Sequence, residues 1–375
     1  MESNITKKAL VISLGARSTA ENYGAVLQMT AFCELLKKIY KISPTILDYM
    51  GVNTRKCRSR IVVLDCLFDR SLKGIIRRLL LGLPIALRYK KNMKFLKCSN
   101  AMTKLYRYDD IEKDIFDYDY YIAESDVIWD PTFRAGGFDK VFFLNVKNFL
   151  KGKKLVYAAG LGNANYTIAE KQMFNKFTTQ IDDCSVRELY SKDFLEQFAE
   201  KKNIVCVLDP TLMVPKDYYR QFIHNRLIKK DYVLVYSPAF NNKKMIEDAY
   251  DYAKRRQLKV IIVRREITRY HFWDNKINVS VEDFLNYLYF STAFFCDSYH
   301  GICLSVQLEK QFFVYQRDDG RKVEDICKRL GLLNRIVADR IEESPINYAH
   351  VNALLDVERL LSYRYLDRCL KCGNS

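Results

Sequence analysis

No apolar run in this chain approaches the ~20 residues that a membrane-spanning helix requires. The longest, Leu79 to Leu87, is broken by Gly82 and Pro84. Zinc-finger spacings, nucleic-acid motifs and basic tails are also missing, so no nucleic-acid partner is expected. Near the C-terminus, Cys369 and Cys372 lack the second CxxC that would complete a zinc site. The eleven cysteines are scattered and odd in number, and Cys206, Cys296 and Cys303 lie in apolar runs. A reduced cysteine in such a run acts as a small hydrophobe, which argues against a disulfide framework and for a reducing, cytoplasmic setting. Gly160-Leu161-Gly162 lacks the third glycine and acidic partner of a dinucleotide fingerprint. There is no internal repeat and no low-complexity segment.

What is present is length, apolar residues and positive charge. At 375 residues the chain is long for one core, and a hydrophobic content of 49% indicates a folded protein. Sixty-one Lys+Arg against 45 Asp+Glu give a formal charge of +16. That surface suits an acidic membrane face or a phosphorylated substrate. Lys7-Lys8 followed by Ala9 to Gly15 resembles a short leader, but the apolar segment is brief and runs into Asn22-Tyr23-Gly24. A first β-strand is the better reading.

Strand-like runs at Lys8 to Leu14, Pro44 to Tyr49, Tyr118 to Ala123, Lys154 to Ala159 and Val205 to Leu208 alternate with helical patterns. The alternation predicts an α/β protein with a parallel, doubly wound sheet. After a polar helical segment, Lys216 to Lys230, it restarts with strands at Tyr232 to Tyr236, Leu258 to Arg264, Ala293 to Cys296 and Phe312 to Tyr315. Two Rossmann-like domains facing across a cleft are expected, over 1–212 and 213–345, with a C-terminal helix and tail over 346–375. Leu67 to Lys97 interleaves basic residues with leucine and isoleucine around Gly82-Leu83-Pro84. This reads as a pair of amphipathic helices with a solvated basic face, the alternative being a face that leans on an anionic membrane.

Several turns carry candidate chemistry. The run Ala293 to Cys296 stops at Asp297-Ser298-Tyr299-His300-Gly301, and a second apolar run from Ile302 to Leu308 fits a helix. His300 is therefore expected at the carboxyl end of a strand and near the start of a helix, where α/β sheets bind ligands and helix amides favour anions. The alternative is a capping histidine in a plain turn. Gly24, near a helix start, permits either close ligand approach or a tight turn. Ser125 and Asp126 follow a strand, and Trp129 could form an aromatic wall or pack beneath the turn. Arg187 could present its planar fork to an anion or pair with Glu188. Asp209-Pro210-Thr211 reads as a strand stop.

Taken in order, six segments resemble the polysaccharide pyruvyl transferases. They are Asn22-Tyr23-Gly24-Ala25-Val26-Leu27-Gln28, Ser125-Asp126-Val127-Ile128-Trp129, Val156-Tyr157-Ala158-Ala159, Ser185-Val186-Arg187-Glu188, Asp209-Pro210-Thr211 and Asp297-Ser298-Tyr299-His300-Gly301. Two positions depart from the common pattern: Ala25 stands where many members have aspartate, and Glu124 where the second motif usually begins with glycine. The resemblance implies a GT-B-like fold and transfer of the enolpyruvyl unit of phosphoenolpyruvate onto a sugar, giving a pyruvate ketal on a surface polysaccharide or its lipid-linked precursor. It associates Arg187 and His300 with the donor, and it implies neither a metal nor a redox cofactor.

On that reading Arg187 grips one anionic group of phosphoenolpyruvate through two hydrogen bonds. His300 protonates the methylene carbon or clamps phosphate, and Asp126 is a base for the sugar hydroxyl or a structural cap. Asn22, Tyr23, Gly24, Ser125, Trp129, Ser298 and Gly301 would line the substrate site, with Arg264 and Arg265 as further cations. A glycan acceptor and contact with the inner membrane face would follow. The rival is a GT-B glycosyltransferase using a nucleotide sugar, and a third reading is a glycan- or membrane-binding protein without turnover.

Overall fold

Apolar strands covered on both faces are what a parallel sheet between helices demands. The computed structural model describes residues 7–16, 22–51, 83–132, 137–162, 165–201, 203–238, 242–264, 274–276, 278–317 and 320–371. The first sheet comprises β1 (Lys7–Ser13), β2 (Ile42–Ile46), β3 (Ala101–Met102), β4 (Tyr120–Glu124), β5 (Lys153–Ala159), β6 (Asp183–Val186) and β7 (Val205–Cys206). These lie in the order β3-β2-β1-β4-β5-β6-β7, every pair parallel. The second sheet comprises β8 (Tyr232–Tyr236), β9 (Lys259–Val263), β10 (Asn275–Lys276), β11 (Ala293–Cys296) and β12 (Phe312–Val314). Its order is β10-β9-β8-β11-β12, again parallel. In each sheet the order reverses beside the first strand, between β1 and β4 and between β8 and β11. A crevice opens at the carboxyl ends there. The protein is thus α/β, with two Rossmann-like domains facing across a cleft in a GT-B-like layout.

Alternate residues of β1 serve different cores. Ala9 and Val11 join an apolar cluster continuous between the domains, while Leu10 and Ile12 pack into a second cluster on the far face of the sheet. Helix α1 (Tyr23–Lys38) is buried along nearly its whole length, as expected of a helix held between two layers. Asn22 caps it, its side chain accepting from Gly24 N at 3.1 Å, and Lys37 and Lys38 meet the negative end of its dipole. The Tyr23 hydroxyl donates to Val279 O at 3.1 Å, and its ring stacks on Phe284 with centroids 4.6 Å apart.

Helix α2 (Leu83–Ser99) is the second of the two helices expected over 67–97; residues 52–82 lie outside the described set. Its basic face is only partly solvated. Lys90, Lys91, Lys94 and Lys97 are exposed, whereas Arg88 is buried and donates to Arg264 O at 3.2 Å. Asn92 also accepts from Val281 N at 3.1 Å, so α2 ties the first domain to the second.

Helix α3 (Pro210–Met213) occupies the predicted strand stop. Asp209 caps it and Pro210 opens it, where the missing N–H costs nothing. The helix expected over Lys216 to Lys230 ends at Arg220, and the chain then turns, with His224 N donating to Asn286 Oδ1 at 3.1 Å. Helices α4 (Lys243–Arg255), α5 (Val281–Phe290) and α6 (Tyr299–Gln307) of the second domain follow, and a further helix spans Arg321–Arg329. The last helix, α7 (Tyr348–Lys371), takes up most of the expected C-terminal helix and tail and returns to the first domain. The Ser362 hydroxyl accepts from Leu208 N at 2.8 Å, and the Tyr365 hydroxyl donates to Val156 O at 3.1 Å. Cys369 is buried, and Cys372 lies outside the described residues. Among the described residues no helix is long and apolar enough to cross a membrane.

Candidate functional site

Helix α6 begins three residues before the apolar pattern suggests, because Ser298 supplies a cap. Its hydroxyl accepts from Gly301 N at 3.3 Å. His300 consequently lies in the first helical turn, directly after the end of β11. A Cβ on Gly301 would come within 2.9 Å of Cys296 Sγ, so α6 packs directly on β11. Gly24 plays the matching part on α1. A Cβ there would lie 2.4 Å from both Cβ and Cγ of His300. This glycine admits the His300 ring between the domains, which is the reason for it that the structure supplies.

The ring joins a buried polar chain. His300 Nε2 is 2.8 Å from Gln28 Oε1 and 3.5 Å from Asp209 Oδ2. The Gln28 amide donates to Glu124 Oε2 at 2.9 Å. Asp209 Oδ2 also accepts from Arg187 Nη1 and from the Ser125 hydroxyl, both at 3.1 Å, while Oδ1 accepts from Thr211 N at 2.9 Å and its hydroxyl at 2.6 Å. Arg187 Nε donates to Glu188 Oε1 at 2.7 Å, and the guanidinium lies over the Tyr299 ring, 4.2 Å from its centroid. Gln28, Glu124, Arg187, Glu188 and Asp209 are each no more than 1% exposed.

Burial alone would raise the Asp209 carboxyl. His300, Arg187 and Thr211 outweigh it and hold the group well below the usual carboxylate range. Burial also works against the Arg187 charge, but Glu188, Tyr299, Asp209 and Asp126 more than restore it. For Glu124 burial wins, helped by the charges of Asp209 and Asp126. Hydrogen bonds from Ser13 and Gln28 oppose it, and the carboxyl is pushed up to about 8.

The loop after β4 supplies the more open carboxylate. Ser125 and Asp126 take φ of 40° and 56°, a conformation costing of order 1–3 kcal/mol for each such residue. Backbone bonds hold it: Ser125 N donates to Tyr157 O at 2.8 Å, and Gly160 N donates to Asp126 O at 2.7 Å. A Cβ on Gly160 would meet that same oxygen at 2.8 Å. The Asp126 side chain is 18% exposed and its Oδ1 lies 4.0 Å from Arg187 Nη2.

The predicted residues therefore divide. Asn22, Gly24, Ser125, Asp126, Arg187, Ser298, His300 and Gly301 build or border one cluster where α1, the end of β4 and α6 meet. Trp129 forms no aromatic wall. It is 0% exposed and stacks on Phe143 and against Phe174 in the core of the first domain. Tyr23 is spent on Val279 and Phe284 as an interdomain contact. Two of the Arg187 donor nitrogens are held by Glu188 and Asp209, so the fork expected to grip an anion is committed within the chain. Arg264 follows β9 and lines a small cavity with Ser237 and Asn242; Arg265 lies outside the described residues. Gln28, Asp209 and Thr211 sat in quoted motifs without an assigned place in the site, whereas Glu188 is the partner that the alternative reading gave to Arg187. The aspartate before Pro210 was the available signal, since Asp then Pro is a helix cap.

No curated protein sequence matches the chain. Among solved structures, the UDP-GlcNAc 2-epimerase from Neisseria meningitidis bound to UDP-GlcNAc is 13% identical, with a TM-score of 0.43, and the match covers 98% of this chain and 95% of that one. The S. aureus MnaA–UDP co-structure is 12% identical, with a TM-score of 0.45, covering 95% and 90%. The family described as polysaccharide pyruvyl transferase matches residues 22–319, from the α1 cap through the His300 helix and beyond β12. The chain belongs to the polysaccharide pyruvyl transferase family.

Proposed function

We propose that the protein transfers the enolpyruvyl unit of phosphoenolpyruvate to a sugar of a surface polysaccharide or its lipid-linked precursor, and closes it as a pyruvate ketal. The observation that carries this reading is the cluster of His300, Asp126 and Arg187, assembled from both domains within the span matched by the family. The methylene carbon of phosphoenolpyruvate takes a proton, leaving an oxocarbenium-like carbon that one sugar hydroxyl attacks. Phosphate leaves with the C–O bonding pair, and a second hydroxyl completes the ketal, each hydroxyl losing its proton.

His300 is the group suited to deliver the proton or hold the departing phosphate, beside the positive end of the α6 dipole. Asp126, the open carboxylate, takes a hydroxyl proton. Arg187 acts from behind, keeping Asp209 ionised and placing one nitrogen toward Asp126. The chemistry fits a cytoplasmic enzyme, and the exposed lysines of α2 suit contact with the inner membrane face.

The test is incubation of the protein with phosphoenolpyruvate and a panel of sugar acceptors. Inorganic phosphate should appear only with an acceptor, the product should carry the ketal, and Asp126→Asn should lower turnover at least 100-fold. Transfer of a glycosyl group from a nucleotide sugar, without consumption of phosphoenolpyruvate, would contradict the reading.

A further inference from the structure

Glu124 is fully buried at the end of β4, has no part in the chemistry above, and is joined to His300 by hydrogen bonds through Gln28. The carboxyl and the imidazole stand at the two ends of one primary amide. An amide side chain has a donor end and an acceptor end, and its orientation is set by what each end meets. Glu124 Oε2 accepts from Gln28 Nε2 at 2.9 Å, either as an ionised carboxylate oxygen or as the carbonyl oxygen of the neutral acid, whose proton then sits on Oε1. The amide NH2 is thereby directed at Glu124, and its carbonyl is left facing His300 Nε2 at 2.8 Å. A carbonyl only accepts, so Nε2 must carry the hydrogen.

Asp209 is the other acceptor near Nε2, but it is farther, at 3.5 Å, and its oxygens already receive Arg187, Ser125 and both donors of Thr211. No described residue hydrogen-bonds Nδ1, which lies close beside Gly24.

We propose that Glu124 is a positioning residue that, through Gln28, holds His300 as the Nε2–H tautomer and leaves Nδ1 as the nitrogen offered to the substrate. The neutral ring then presents an Nδ1 lone pair to a proton, and the charged ring presents an Nδ1–H to an anion. The inference rests on the proposed function only in treating His300 as the histidine of the site. Its test needs no substrate.

The chain has four histidines, so the ring nitrogens of His300 can be assigned in long-range 1H–15N spectra by comparison with His300→Asn. Wild type and Glu124→Gln, which retains an acceptor oxygen, should both show a protonated Nε2 and an unprotonated Nδ1. Glu124→Leu and Gln28→Leu should each lose that single tautomer, and adding Glu124→Leu to Gln28→Leu should change nothing more. If Gln28→Leu, or a folded Glu124→Leu, keeps the wild-type tautomer, Asp209 alone sets the ring and the proposal is overturned. The same follows if Glu124→Gln fails to restore the wild-type pattern, or if Glu124→Leu acts equally without Gln28. Failure to bind phosphoenolpyruvate would sink the pyruvyl-transfer reading and leave these spectra unchanged.

Discussion

Glu124 and Asp209 answer the same burial in opposite ways, because only Asp209 is given cations. The sign of each contribution to stability follows. The Glu124 pKa is raised in the folded state, so its contribution is whole below the ordinary value of 4.5 and is lost as pH rises toward about 8. Asp209 is lowered, so its contribution is present above its ordinary 3.8 and is lost as pH falls. Across pH 4.5 to 8 the ionisation of Glu124 alone should erode stability by up to about 1.4 kcal/mol per pH unit. Denaturant titrations should show a flatter pH dependence for Glu124→Gln than for wild type in that window. An unchanged slope would mean that the carboxyl is ionised in the folded protein. Neither behaviour was legible in the sequence. Glu124 and Asp209 are 85 positions apart in number, and what decides between them is Arg187 and His300, which arrive from two other elements.

At the scale of elements, the meeting of α1 and α6 controls the site, and glycine is what lets them meet. Gly24→Ala would place a methyl group 2.4 Å from His300 carbons, too close for any rotamer to relieve. Overpacking of this kind costs about 1–3 kcal/mol, so a thermal melt should show that loss with the overall secondary structure retained. A stability equal to wild type would show that α6 can slide at no cost. Much of the element pattern was readable. Tyr232–Tyr236 and Ala293–Cys296 fall at the predicted residues, because each is an apolar run bounded by polar positions. Apolar periodicity missed the start of α6, since the helix opens with Tyr299-His300-Gly301 and is defined by its Ser298 cap. For Trp129 the sequence left an aromatic wall and packing beneath the turn open, and the choice was not readable because the partners that bury it, Phe143 and Phe174, come from separate segments.

At the scale of the molecule, the cluster exists only while the domains face one another, with α1, α2 and α7 each crossing or returning between them. Family motifs in sequence order pointed to the cleft, but not to how its charges pair, which depends on contacts between distant segments. The net charge of +16 includes the exposed Lys90, Lys94 and Lys97 of α2. Contact of this surface with anionic lipid predicts sedimentation with phosphatidylglycerol vesicles at low salt and release as salt is raised. Absence of binding at low salt would remove the membrane from the account.

The central claim, phosphoenolpyruvate as donor at the His300 cluster, is tested most directly by ligand-dependent melting of the purified protein. A ligand that binds only the folded state stabilises it by about 2.7 kcal/mol at one hundred times its Kd. Phosphoenolpyruvate should raise Tm in wild type, and the rise should vanish in His300→Ala. A rise with a nucleotide sugar and none with phosphoenolpyruvate, or one undiminished in His300→Ala, would contradict it.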